Sequence, residues 1–457
     1  MKNTFIFLLF ILASCQNTKS RSSDTPSTIE EKEETVICIG ARGENPSNPP
    51  VKLSLSDGLN IEHEFDLARY FTKLEYIILK HPLSSQDGFF LGDAEVSIQK
   101  KKNSGISIYD FSSQVFLTPT MLVAGDNYFG YHAFDKSGNY LYSPIIPDQL
   151  STYTERDNSV VQKAYQMKSN IRNLSTHNQY ALITTNDSTD HKQCFFNLDN
   201  KQNISCRVIT KPSTTVRLID STHSIAYPIF TNFKQRQNQW QVFNETTGDV
   251  LANFPGYHRL LSSEVDTRCN PEKNISYYLH DTLYVKSNYC DTIFKVTAPN
   301  EMEAAYVFDL GNKKVAPQDA LTGNIADKFI FRECLDTDKF LFFIFTQGFD
   351  TSYNRQQKSV THKYYCYDKR LKRITEIKSD EYLEDFLFTN SIPHALPIRS
   401  RQAQFADNKL YCGYTKKQLQ NIMSQPWFTR LSSTQQASVK KWQKNLEQGD
   451  LLVLILE

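Results

Sequence analysis

One short unit recurs along this chain: a strand-like run ending in an aromatic residue, a tight polar turn, and a second strand-like run. Its clearest copy is AFDKSGNYLY, Ala133 to Tyr142, where Gly138 suits the left-handed position that closes a short hairpin loop and Asp135 is placed to cap the turn. Comparable text begins at Phe196 (FNLDNKQNISC), Phe243 (FNETTGDVLANF), Phe294 (FKVTAPNEMEAAYVF) and Tyr367 (YDKRLKRITEI), with first residues 62, 47, 51 and 73 positions apart. Further strand-like runs precede each copy, among them TMLVAG and YFGYHAF, YALITTN, TVRLID and SIAYPIF, and KFLFFIF. Repeated units of about four antiparallel strands are the pattern of radial blades, which hide their edges by repetition around a channel.

The expectation is therefore an all-β fold: a six-bladed β-propeller of four-stranded antiparallel blades, with a short C-terminal helix before the last strand. The sixth unit is assembled from DFLFTN, AQFADNKLYCGY and DLLVLIL, with LEYIILK near the N-terminus as closing strand. A pair of β-sandwiches or an irregular solenoid would carry the same hairpins, and five or seven blades are open because the repeats are degenerate. The 30 Phe and 24 Tyr supply a large β-prone core, and 51 basic against 50 acidic residues leave no electrostatic reason to expect nucleic acid as a partner. The C-terminal SSTQQASVKKWQKNLEQGD reads as the helix, with Ser432 and Gln435 as a capping box, Val439, Trp442 and Leu446 on one face, and Gly449 as its stop.

The first residues carry a different signal. Lys2, an apolar FIFLLFIL run and then LASC resemble the lipobox of bacterial lipoproteins, which implies cleavage before Cys15 and lipidation of its thiol. The run is too short for a permanent span, whereas two or more acyl chains anchor stably. The expected organisation is a signal peptide over residues 1–14, a lipidated Cys15 with a flexible tether over 15–60, and the propeller over 61–457. QNTKSRSSDTPSTIEEKEET is polar and aromatic-free, in keeping with a tether, and VICIG within the next segment reads as a short strand. This places the protein in the bacterial cell envelope, lipid-anchored at the outer membrane, facing the periplasm or the surface.

Eight cysteines remain once Cys15 is set aside, and one pair has a geometric argument. Cys194 and Cys206 lie equidistant from Asn200, so a symmetric hairpin sets them opposite each other, either bridged after a small adjustment or as two buried thiols. There is no C-x-x-C, and no metal site is expected.

Taken together, the lipobox, the polar tether, DLARYFTKLEYIIL, the FDKSGNYL hairpin and a C-terminal helix leading into LLVLILE resemble the six-bladed, NHL-like β-propeller lipoproteins of Bacteroidetes. The resemblance spans about Phe65 to Glu457 and implies fold and location more than activity. Members commonly continue from the hairpin into a Gly-rich G-R-G-P-G-E stretch, whereas Leu141 leads here into YSPIIPDQLSTYTERDN, which has no glycine.

Catalytic motifs are scarce. HEF at His63 lacks the second His of a zincin helix, since position 67 is Leu. Asp336 and Asp338 in DTD lack the Gly and Glu of a calcium loop and read as a solvated turn. No G-x-S-x-G, P-loop or G-x-G-x-x-G is present, and no cofactor is expected. Function then falls to the long connections, of which TQGFDTSYNRQQKSVTH and TNSIPHALPIRSRQAQ are rich in Arg, Tyr, Gln and Asn. Tyr353, Arg355, His394, Arg399 and Arg401 are the candidate ligand-binding residues, beside the reading that these are simply solvated loops. The leading expectation is a membrane-tethered, non-catalytic propeller that binds a glycan, peptide or protein partner. The alternatives are a hydrolase or lyase with a site at the channel mouth, and a scaffold subunit of an envelope complex.

Overall fold

Five uninterrupted four-stranded meanders follow one another along the chain in the computed structural model, which describes residues 38–80, 111–142, 171–255, 274–348, 360–378 and 386–457 apart from short stretches inside those ranges. Before them come β1 (Cys38–Ile39), β2 (Ala41–Gly43), β3 (Val51–Ser54), β4 (Asn60–Glu62) and β5 (Leu74–Leu79). The first meander is β6 (Phe111–Leu117), β7 (Met121–Asp126), β8 (Tyr131–Asp135) and β9 (Tyr140–Tyr142). The second is β10 (Ile171–His177), β11 (Tyr180–Thr185), β12 (His191–Asn197) and β13 (Gln202–Ile209); the third is β14 (Ser213–Leu218), β15 (His223–Pro228), β16 (Asn238–Asn244) and β17 (Val250–Pro255). The fourth is β18 (Ile275–Leu279), β19 (Thr282–Lys286), β20 (Thr292–Ala298) and β21 (Glu301–Asp309); the fifth is β22 (Ile330–Asp336), β23 (Phe340–Gln347), β24 (Thr361–Asp368) and β25 (Arg373–Ile377). This is an all-β propeller with few helices.

The expectation of six like blades is corrected. Five are uninterrupted meanders, and the remaining four-stranded sheet is composite: β28 (Ala403–Ala406), β29 (Lys409–Thr415) and β30 (Leu451–Leu456), with β5 from the N-terminal side as its edge. DFLFTN does not enter it, because β26 (Leu387–Phe388) pairs apart with β27 (Ile398–Arg399). Closing a ring with strands from both chain ends requires β30 to lie between β29 and β5, and its LLVLIL run is buried on both faces. Leu452, Leu454 and Leu456 pack with Leu410 and Tyr414, while Leu451, Val453 and Ile455 pack with Leu122 and Phe134 of the first meander. The same two-sidedness explains FLFFIF in β23: Phe340, Phe342 and Ile344 face the composite sheet's core, and Leu341, Phe343 and Phe345 face that of the β18–β21 sheet. A strand buried on both faces reads as a continuous apolar run instead of an alternating one.

The recurring hairpins are the third and fourth strands of the five meanders. In the clearest copy, Asp135 accepts from the backbone N–H of Ser137 (2.9 Å) and Asn139 (2.8 Å), and Gly138 sits at φ +89°. Asn244 does the same for Thr246 and Thr247 before Gly248 at φ +82°, and Asp368 accepts from Leu371 N–H. At Phe294 the following residue is Lys295, and the β20–β21 hairpin closes without an Asx cap at that position.

The tether boundary at residue 60 is also corrected. β1 runs parallel to β17, β2 and β3 run parallel to β21, and β4 runs parallel to β25, so among the described residues strands paired with the blades are present from Cys38 on, ahead of residue 61. The outer strands of three successive blades offer unpaired backbone groups, and this segment pairs with them. Leu53 is buried in the core between the fourth and fifth meanders, and the Arg42 guanidinium lies over the rings of Phe254 (5.3 Å) and Phe294 (5.8 Å). Cys15 and the rest of the N-terminal signal lie outside the described residues.

The C-terminal helical insertion joins β29 to β30 and holds more than expected. α1 (Lys416–Met423) starts at Thr415 with a capping box to Gln418, a 3-10 turn spans Pro426–Arg430, and α2 (Ser433–Asn445) starts at Ser432 with the box to Gln435. α2 ends at Asn445 with Leu446 as its C-cap, earlier than Gly449.

Candidate functional site

In an antiparallel meander, the first-to-second and third-to-fourth turns share one end, and all other connections leave from the opposite end. The turns at the first end are two to five residues long in every described sheet. From β6 to β30, the opposite end carries every connection longer than that, up to the 35 residues between β29 and β30 that hold α1 and α2. Blade-to-blade crossings such as 143–170 and 378–402 and the β23–β24 connection at 348–360 all belong to this end. His394, Arg399 and Arg401 therefore sit together on one connection of this end, between β25 and β28. Tyr353 and Arg355, like the glycine-free stretch after Tyr142, lie outside the described residues.

Arg399 and Arg401 are held differently from each other. Arg399 closes the short β26–β27 ladder opposite Leu387, and its guanidinium stacks over the Trp427 ring at 5.2 Å. Arg401 donates from Nε to Glu333 Oε2 at 3.0 Å, while the neighbouring Ser400 hydroxyl donates to the other Glu333 oxygen. Glu333 lies on β22, the first strand of its blade, directly after an irregularity in register between Phe331 and Glu333. A bulge re-aims a side chain, and here the carboxylate reaches the incoming 378–402 connection. The Arg401 side chain remains 43% exposed against 19% for Glu333, so the cation presents the more open part of the pair.

His394 is held in place through its backbone. It occupies a left-handed position (φ +65°), and its carbonyl accepts from the Tyr76 hydroxyl at 2.8 Å. That hydroxyl also accepts from Leu396 N–H at 3.1 Å, and the Tyr76 ring packs on Trp442 at 5.0 Å. Asp66 pins the same connection by accepting from Ser391 N–H at 3.0 Å and from the Ser391 hydroxyl. Burial pushes the Asp66 carboxyl up, but Ser391, the Ala68 amide and Arg69 outweigh it and hold it below the usual carboxylate range. Residues 391–396 of the connection are thus tied down at both ends, forming a platform. Sequence reasoning missed Trp427 and Glu333, which hold Arg399 and Arg401; the capping box at Thr415 and Gln418 was the one signal that more helix follows β29.

Two other polar clusters differ in kind. Asp336, read from sequence as part of a solvated turn, is buried at the short-turn end, where it accepts from Lys369 Nζ (2.7 Å) and the Tyr277 hydroxyl (2.9 Å). Burial pushes its carboxyl up against the pull of Lys369. At the long-connection end, a recess with room for about one water lies between the fourth and fifth meanders. Its lining includes Phe308, Phe345 and the buried Lys286, whose ammonium lies 4.6 Å from the Phe331 ring. No group of His, Cys, Asp and Glu among the described residues has metal-holding geometry.

The fold and this platform define a β-propeller whose long connections gather at one end. The chain belongs to the family described as a domain of unknown function, DUF4933, which matches residues 42–425. It is similar in structure to a putative exported protein from Bacteroides fragilis, at 11% identity and a TM-score of 0.48 over 89% of this chain and 98% of that one. It is similar also to a member of the duf4221 family from Bacteroides vulgatus, at 7% identity and a TM-score of 0.39 over 85% and 98%. The β-propeller domain of the Trilobed protease from Pyrococcus furiosus aligns at 10% identity and a TM-score of 0.31 over 66% and 77%. No curated protein matches the chain in sequence.

Proposed function

We propose that this protein is a membrane-tethered lipoprotein of the bacterial envelope, whose propeller binds a glycan, peptide or protein partner at the long-connection end without turning it over. The observation that carries the reading is that, from β6 to β30, every connection longer than five residues leaves at that end. Loops on a rigid scaffold are where sites are built. Arg399 on Trp427 and the half-exposed Arg401 beside Glu333 supply a planar, cationic surface suited to hydroxyl, amide or carboxylate groups. In this reading the ring of five meanders closed by the composite sheet is NHL-like. Cys15 is the lipidated residue, the outer membrane is the site of attachment, nucleic acid is not a partner, and no cofactor takes part.

The test uses the full-length protein on glycan and peptide arrays. A bound class whose affinity falls tenfold or more in Arg399→Ala/Arg401→Ala supports the reading; turnover of the bound ligand, or binding indifferent to both arginines, overturns it. Anchoring is checked separately. Cys15→Ala should lose labelled fatty acid and leave the membrane fraction, and retention of both would sink the lipoprotein assignment.

A further inference from the structure

The connection between β29 and β30, residues 416–450, stands apart in charge. It holds six basic side chains against two acidic ones, a surplus of four in a chain whose whole surplus is one. Its two acids do little to offset that surplus on the surface: Asp450 is buried, and Glu447 faces Lys80 at 3.7 Å. Lys417, Lys440, Lys441 and Lys444 are exposed, and none of them is in an ion pair among the described residues. Like charges held together repel one another, and a partner of opposite sign relieves that repulsion.

The lysines of α2 continue the surface that holds Arg399. Trp427 and Phe428 are consecutive in the 3-10 turn; the Arg399 guanidinium lies over the first ring at 5.2 Å, and the Lys440 ammonium lies 6.0 Å from the second. Lys441 follows over Trp442 at 5.2 Å, and Lys444 shares a helix face with Lys440. The cations are thus laid over aromatic rings along a track instead of being gathered in a pocket. The Trp427 indole N–H and the Asn390 side-chain amide N–H groups are buried and meet no acceptor among the described residues. Charge and hydrogen-bonding capacity here both call for acceptors.

The same connection turns its apolar side chains inward: Leu419, Ile422, Val439 and Leu446 are buried in the core of the composite sheet. The large apolar side chains that are exposed among the described residues, Ile39, Ile61, Tyr140, Leu141 and Leu371, all lie elsewhere. A protein partner takes most of its affinity from buried aromatic and apolar anchors, and a helix lying on a membrane takes it from an apolar face set among the lipids. This surface presents neither. We propose that the track from Arg399 across Lys440, Lys441 and Lys444 binds a glycan chain bearing repeated carboxylates. The inference rests on the reading of the long-connection end as the binding end and names the class of partner taken there. The arginine fork matches a carboxylate, and flexible lysines act as point charges that follow the spacing of a polymer.

The test measures binding of the full-length protein to polygalacturonate, to its methyl ester, to polyglutamate and to vesicles containing phosphatidylglycerol. Polygalacturonate should bind best, and raising salt from about 50 to about 500 mM should weaken it tenfold or more. Lys440→Gln/Lys441→Gln/Lys444→Gln should cost at least tenfold in affinity, whereas Lys440→Arg/Lys441→Arg/Lys444→Arg should keep it. The ester comparison removes charge from the ligand alone and so stands on the unaltered protein. No binding of polygalacturonate, equal binding of its ester, tighter binding of polyglutamate or vesicles, or indifference to the lysines would each overturn the proposal. A neutral glycan or a peptide held through Arg399 and Arg401 with the lysines immaterial would do so too, while leaving the long-connection end as the binding end.

Discussion

Gly138 shows how far a single position is constrained. Its φ of +89° excludes most side chains, and a Cβ there would stand 2.6 Å from the Ile77 Cγ2 and 3.1 Å from the Ile78 carbonyl oxygen. Gly138→Ala should therefore lower stability by about 2 kcal/mol, more than a backbone effect at a permissive turn, as read by chemical denaturation. Asp336 makes a prediction of opposite character. Its native carboxyl is pushed up, so between the ordinary carboxylate value and that raised value the native state binds more protons than the unfolded chain. Stability should fall as pH rises through that window, and Asp336→Asn should remove the fall. Lys369→Met, which strands a buried carboxylate, should cost about 3–5 kcal/mol at neutral pH and less in acid. An equal cost at both pH values would show that Lys369 does not act through Asp336. Asp66 behaves the other way, since its carboxyl is held down: its contribution is present above the ordinary carboxylate range and fades as pH drops through the depressed value.

At the scale of the element, the short strands of residues 38–62 are the instructive case. Gly40 lies so close to Phe254 that a Cβ would come within 2.4 Å of its ring. Gly40→Ala should loosen β1 and β2 from their hosts, seen as faster hydrogen exchange over residues 38–43 with the meander cores unchanged. Uniform exchange across the chain would mean that the segment is not a separable layer. Parts of this were legible: VICIG reads as a strand, and the α2 cap at Ser432 and Gln435 is plain in the text. What was not legible is that three- and four-residue stretches beside prolines and asparagines join sheets. Such stretches have too few side chains to show a period, and they are ordered by backbone groups that other blades offer.

For the whole molecule, the decisive strand is β30. Removing residues 451–457 deletes the strand between β29 and β5 and exposes six buried apolar side chains, each worth about 1.5–3 kcal/mol. That sum is as large as the whole of the roughly 5–15 kcal/mol by which most proteins are stable, so the truncated chain should fail to give soluble protein with a cooperative unfolding transition. A folded monomer would mean that the ring does not depend on this closure.

The sequence by itself determined the local grammar: where strands turn, as at Asp135, Gly138 and Asn244, which runs are buried on both faces, and where the last helix starts. Those features depend on dihedral preference and hydropathy within a few residues. Only the tertiary structure decided which strands share a sheet, that β5 and β30 close the ring, that Asp336 is buried instead of solvated, and that Arg401 meets Glu333 and Arg399 meets Trp427. Glu333 and Arg401 are 68 residues apart. Pairings at that separation depend on how blades come round against one another, and no local pattern encodes them.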